Sequence, residues 1–243
     1  MVGMLVWKEP EKRRRSIEVC ERQILHVRIL CVEILRGKKT PDAFLRRRVL
    51  AAAKRLRKHG IRQVILPEGF LWREQLEQWE IQPVSTVPLR QMLAADWIRW
   101  DLENNRRIPT SGARVAVVCG GLSGAVVRTV TELALRHRYV MLKTSYGGEE
   151  LCRQLRREYG ISLVLKPSQE QMESADATVL FEKWGERPIH GGIPLYDETV
   201  EMPVLSLPPA LEDFLPPGAE RNQMLTVLLE AGAIRPGQIA FRG

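Results

Sequence analysis

From Gly60 onward the chain alternates short apolar runs with helical stretches, and no other feature limits its fold as much. The apolar runs are IRQVILP (61–67), QPVSTVP (82–88), RVAVVCG (114–120), YVMLKT (139–144), ISLVLKP (161–167) and ATVLFEK (177–183). Helical stretches lie between them at 69–80, 89–106, 123–137, 147–160 and 170–175. Strands that are mostly apolar, rather than strictly alternating, are buried on both faces. Alternation with helices then predicts an α/β fold: a mostly parallel sheet with helices on both faces. Right-handed crossovers gather every strand-to-helix turn at one edge of such a sheet.

The most informative of these turns is CGGLSG, residues 119–124. A strand ends at Cys119 and a helix begins near Ser123. Glycines at 120, 121 and 124 leave room for a ligand near the backbone. Unpaired amides at a helix start attract anions. Ser123 can cap the helix or donate its hydroxyl to a ligand. Gly121 and Gly124 match the last two glycines of G-x-G-x-x-G, while Cys119 stands at the first. On these residues the segment 114–182 resembles the broad dinucleotide-binding superfamily, which implies a Rossmann-like three-layer architecture. An NAD site of that kind wants an acid near the end of the next strand. Here that strand ends in Lys143, Thr144 and Ser145, and no acid comes before Glu149. Those three residues suit a 2′-phosphate, so NADP or another phosphorylated ligand is the expected occupant.

Other strand ends add candidates. Lys166 and Lys183 are cations at the sheet edge, and Glu182 precedes the second. His190, in PIHGG, is the histidine suited to acid–base work, since its pKa lies near neutrality. His190 and Lys183 are therefore the catalytic candidates. The cofactor-binding candidates are Gly120, Gly121, Ser123, Gly124, Lys143, Thr144 and Ser145. Tyr146-Gly147-Gly148 reads as a mobile loop feeding a helix. Asp176 reads as a helix-to-strand turn. A phosphorylated small molecule or nucleotide is the expected partner, with an NADP-dependent oxidoreductase as the leading activity. A non-catalytic regulatory or interaction protein on a degenerate scaffold is the alternative, favoured by the absent first glycine and acid.

The N-terminal quarter differs in charge. Residues 1–60 hold 17 Lys/Arg and 6 Asp/Glu, against 20 and 23 in the remainder. MLVW (4–7) reads as a strand. In 16–37, Ile17, Cys20, Ile24, Val27, Cys31 and Ile34 step by three and four, which predicts a helix; the β-branched residues leave a strand within 24–35 as the competing reading. Thr40 is expected to cap a helix with Pro41 first, ending at Gly60. On that helix Arg47, Lys54 and Lys58 share one side, and Leu45, Val49, Ala52, Ala53 and Leu56 supply the apolar stripe. Arg13, Arg14 and Arg15 add to the charge. Nucleic acid is nevertheless not the expected partner, because no aromatic platform accompanies the cations.

The polar stretch 103–112 is expected to separate a region 1–105 from a nucleotide-binding-type region 106–243. The proline-rich segment after 185 should wrap or lie at an edge, before a helix near 219–232 and a tail that pairs at an edge. Trp72, Trp79, Trp97 and Trp100 read as packing residues, with a homo-oligomer contact as the other reading. Cys20, Cys31, Cys119 and Cys152 lack metal-site spacing and are expected to be free thiols, with no metal bound. No apolar run reaches 18 residues, and charge follows the short apolar start, so a cytoplasmic protein is expected.

Overall fold

The computed structural model describes residues 1–9, 16–184 and 191–242. It divides into two compact units, one of residues 1–86 with 207–239, the other of 87–206 with 240–243. The division falls at 86–87, earlier than the boundary read at 105–106. The reason lies in the stretch expected to be a linker. Helices α3 (Val87–Met92) and α4 (Ala94–Trp100) pack on the helix of the central glycine turn. A π-helical stretch, Asp101–Arg106, continues α4. Its Arg106 pairs with Asp101 at 2.5 Å and donates to the carbonyls of Asp176 and Gly191, each at 2.6 Å.

The first unit holds β1 (Val2–Lys8), β2 (Ile17–Ile24), β3 (Val27–Leu35), α1 (Asp42–Lys58), β4 (Gln63–Ile65), α2 (Arg73–Glu77) and β5 (Gln82–Pro83). The strand order is β2-β3-β1-β4-β5, parallel except for β2 against β3. The helix expected over 16–37 is therefore a hairpin, and its second strand, β3, lies within 24–35, where the competing reading put one. Its turn is Leu25–His26, with Leu25 at φ +54. Both faces of β3 are buried from Ile29 to Leu35, so no period-two pattern shows in its sequence. A buried, unbroken apolar run also satisfies a three-and-four spacing by accident. The only acid in that run, Glu33, is held by Lys8 at 2.6 Å and by Arg22 at 2.5 Å. Its hydrogen bond from Lys8, with that from Arg22, keeps the carboxyl below the usual range despite burial.

One face of this sheet, with Leu5, Leu30, Val32 and Ile34, packs on α1 through Leu45, Val49, Ala52, Ala53 and Leu56. The approach is close: a Cβ on Gly3 would lie 2.8 Å from Leu56. The Thr40 cap is not formed. Pro41 precedes the first helical residue without a side-chain cap, and the Thr40 hydroxyl instead accepts from the Gly37 amide at 2.9 Å. Gly60, at φ +72, does close α1, with its amide on Arg57 and that of Ile61 on Leu56. The C-terminal helix is tied to this unit by Gln223, whose side chain accepts from the Leu66 amide at 2.8 Å.

The second unit holds β6 (Arg114–Cys119), α5 (Gly124–Arg136), β7 (Tyr139–Thr144), α6 (Gly148–Tyr159), β8 (Val164–Leu165), α7 (Gln169–Glu173), β9 (Ala177–Leu180) and β10 (Gly192–Pro194). Its sheet is wholly parallel in the order β10-β9-β6-β7-β8. The chain moves from β6 outward to β8, then returns to the other side of β6 for β9 and β10. Right-handed crossovers therefore put α5 and α6 on one face and α7 on the other. Ala116, Val118, Met141 and Leu180 pack with Met172 of α7 on its face. The second unit is thus a Rossmann-like three-layer fold. The proline-rich segment supplies the edge strand β10 and β11 (Leu205–Ser206), which pairs antiparallel with the tail strand β12 (Ala240–Phe241). Between them in the chain lie α8 (Pro209–Glu212) and α9 (Arg221–Glu230). Among the described residues no helix is long and apolar enough to cross a membrane.

The four tryptophans are packing residues. Trp72 and Trp97 are buried, Trp79 lies against the first core, and Trp100 tilts on Phe241 at 6.2 Å. The four cysteines are free.

His137 caps the C-terminus of α5 and is buried. Burial, with the charge of Arg136, lowers its pKa from 6.5, against a backbone hydrogen bond at Thr110 that raises it. The folded state then binds fewer protons than the unfolded one. Stability is full above pH 6.5 and declines as the pH falls through the unfolded and then the folded value. Urea titrations at neutral pH and near pH 5 should show a smaller acid loss for His137→Gln than for the natural protein.

Candidate functional site

The return of the chain past β6 makes a crevice between the carboxyl ends of β6 and β9. Open α/β sheets bind ligands at such a point. The register places the residues there. Val118 pairs with Leu180, and the Phe181 amide donates to the Val118 carbonyl at 2.9 Å. Two residues further along each strand, Gly120 and Glu182 are neighbours on one face. A Cβ on Gly120 would lie 2.5 Å from a Glu182 carboxylate oxygen. Glu182 therefore folds across the turn, in a pose that a side chain at 120 would push aside. At Gly121 the neighbour is the Tyr146 ring, whose hydroxyl would be 2.5 Å from an added Cβ. Both covering side chains are exposed, Tyr146 to 72%. Gly124 has open space around it.

Ser123 is the N-cap of α5, and its hydroxyl accepts from the Val126 amide at 3.3 Å. The amides of Gly124 and Ala125, at the first helical positions, have no partner within the helix. Cys119 is buried beneath the turn. Burial, with the nearby Glu182 charge, pushes its thiol up, against a hydrogen bond at Thr144 that lowers it. It stays a thiol rather than a nucleophile at neutral pH.

The end of β7 is stapled to the same turn. The Ser145 amide donates to the Gly120 carbonyl at 3.2 Å, and the Thr144 hydroxyl donates to the Tyr146 carbonyl at 3.0 Å. Beside this staple is a cavity of about 280 Å³, lined by Thr144, Ser145, Tyr146 and Gly148 with Leu165 and Lys166. Gly147, at φ +83, starts α6 without a side-chain cap. Glu149, Glu150 and Arg153 also line the space. Lys166 reaches Glu149 at 3.4 Å, an exposed pair that holds neither side chain firmly.

The structure brings together Gly120, Gly121, Ser123 and Gly124 at the crevice, with Thr144 and Ser145 alongside. Lys143 pairs with Val118 and so lies on the α7 face, its ammonium 5.7 Å from the Trp184 ring and away from the cavity. Lys183 is exposed just beyond β9. His190 and the Arg13–Arg15 run lie outside the described residues. Asp176 is structural: its carboxylate accepts from the Arg114 amide at 2.7 Å. Arg153 was missed, since nothing in its helix spacing marks it as facing a cavity. Among the described residues no group of three or more His, Cys, Asp or Glu could hold a metal.

No family model matches the chain. No curated protein matches it either. Among solved structures it is similar to a D-lactate dehydrogenase with NAD+ from Lactobacillus jensenii, with 10% identity, a TM-score of 0.27, and 62% of this chain and 55% of that one covered. It is also similar to one chain of the dipicolinate synthase from Bacillus halodurans, with 14% identity, a TM-score of 0.31, and 49% and 42% covered. A third is L-tryptophan dehydrogenase from Nostoc punctiforme, with 12% identity, a TM-score of 0.27, and 62% and 44% covered. The chain spans about half the length of these proteins.

Ser123→Ala removes the cap of α5. It should destabilise the protein by about 1 kcal/mol in urea unfolding.

Proposed function

We propose that the second unit binds a phosphorylated nucleotide along the carboxyl edge of its sheet. The observation that carries this reading is a glycine turn at the reversal of strand order, with a cavity of about 280 Å³ beside it. Phosphate would meet the open amides of Gly124 and Ala125, and sugar and base would enter the cavity at Thr144 and Ser145. No carboxylate ends β7 to receive a ribose diol, while Lys166 and Arg153 at the cavity can turn from their exposed partners, Glu149 and Glu150, to a 2′-phosphate. That combination supports NADP over NAD. NADP would bring hydride chemistry to the crevice. Lys183 and His190 are then the groups proposed to hold or move a proton at the substrate.

Glu182 opposes this ligand. Its carboxylate lies where negative charge would approach Gly120, and like charges a few ångströms apart repel even in water. Binding requires Glu182 to turn away, as an exposed side chain can. The same observation favours a second reading, a regulatory or interaction protein whose crevice admits no phosphate.

Calorimetric titration of NADP, NADPH and ADP into the natural protein and Glu182→Gln separates the two. The nucleotide reading expects saturable binding, roughly 3- to 10-fold tighter in the variant because one repulsive charge is gone. No saturation in either protein overturns it and leaves the interaction reading.

A further inference from the structure

The first unit carries a basic surface outside the crevice just described. From Arg36 to Lys58 the chain has ten Lys/Arg and one acid, Asp42. The structure separates cations in use from cations that are not. Arg48 and Arg55 donate to the carbonyls of Leu35 and Ile17. Arg46 pairs with Asp42, and Arg57 with Glu80. Arg36, Lys38, Lys39, Arg47 and Lys58 are exposed, and none forms an ion pair with a described residue.

Aromatic rings stand among them. Trp7, Phe70 and Trp72 cluster at the carboxyl ends of β1 and β3, with centroids 5.4 to 5.9 Å apart. The Trp72 indole donates to Asp42 at 2.9 Å, which ties the cluster to the first turn of α1. Arg36 lies over the Trp7 and Trp72 rings, at 5.1 and 5.8 Å. Stacking holds that guanidinium in place while its donors stay in solvent. In the same first turn Phe44 is 54% exposed, one turn from Arg47 on the helix. The exposed ring among cations that the bare sequence did not reveal is present.

Geometry selects the partner. Arg47 and Lys58 lie on one side of α1, eleven residues and roughly 16 Å apart. A small phosphorylated ligand cannot touch both, whereas a polymer of phosphates can. The apolar stripe of α1 is spent on the core, so the helix has no face to sink into a bilayer. We infer that this surface binds single-stranded nucleic acid, with phosphates on Arg36, Lys38, Lys39, Arg47 and Lys58 and a base stacked on Phe44. Ring stacking and phosphate contact together are how sequence-tolerant single-strand binding works.

Fluorescence anisotropy with labelled (dT)20 and (rU)20 tests this on the full chain, the two oligonucleotides separating DNA from RNA. Five engaged phosphates predict a loss of affinity on the order of 100-fold between 50 and 200 mM KCl. K38A/K39A/R47A should weaken binding at least tenfold and flatten that salt dependence. Phe44→Ala should weaken it several-fold at every salt, and Phe44→Tyr should restore it; the thermal melt controls for folding. Absent binding at 50 mM KCl overturns the inference. So does binding that the triple variant leaves unchanged. Binding to phosphatidylglycerol vesicles but to neither oligonucleotide overturns it in favour of a membrane surface.

Discussion

The crevice exists because β6 sits at the centre of a wholly parallel sheet. The chain leaves β6 in one direction and comes back on its other side, so the loops after β6 and β9 diverge. No covalent or electrostatic device is needed to open that space. Hydrophobic burial of β6 on both faces fixes the strand, and the handedness of the crossovers fixes the rest. Gly120, Gly121 and Gly124 gain their significance from that position alone. The same residues at a sheet's other edge would be only a turn.

Two effects compete at this turn. Helix α5 offers positive ends of amide dipoles to an anion. Glu182 places a full negative charge across the neighbouring glycine. A unit charge outweighs the half charge of a helix end, so the turn as it stands favours no phosphate until Glu182 moves. The first unit is the opposite case. Its cations crowd around α1 with one acid among them, and an aromatic cluster keeps Arg36 fixed at the edge. The excess positive charge of residues 36–58 thus lies on a different unit from the crevice between β6 and β9.

The rhythm after Gly60 was legible because both-face burial writes itself directly into sequence as short apolar runs. The same burial, in β3, hid the hairpin at 17–35, where Ile17, Cys20, Ile24 and Cys31 fit a helix stripe as well as two strands. Turn chemistry offered no rescue, since Leu25 is an unusual residue at positive φ. Ser123 was readable as a cap from its place before a helix. The contact of Glu182 with Gly120 was not, because it depends on the register of two strands about 60 residues apart. Lys143 shows the same limit: a strand-end lysine has even odds of either face, and here it faces Trp184 rather than the cavity. The stretch 103–112 looked like a linker because it is polar, yet Arg106 pins it by three contacts.

The most direct measurement is an amide proton–nitrogen NMR titration of the intact, labelled protein with NADP. Saturable shifts are expected, concentrated at Gly120 to Val126 and at Thr144 to Gly148, with the amides of the first unit unmoved. Shifts confined to other residues, or none at millimolar ligand, would contradict it.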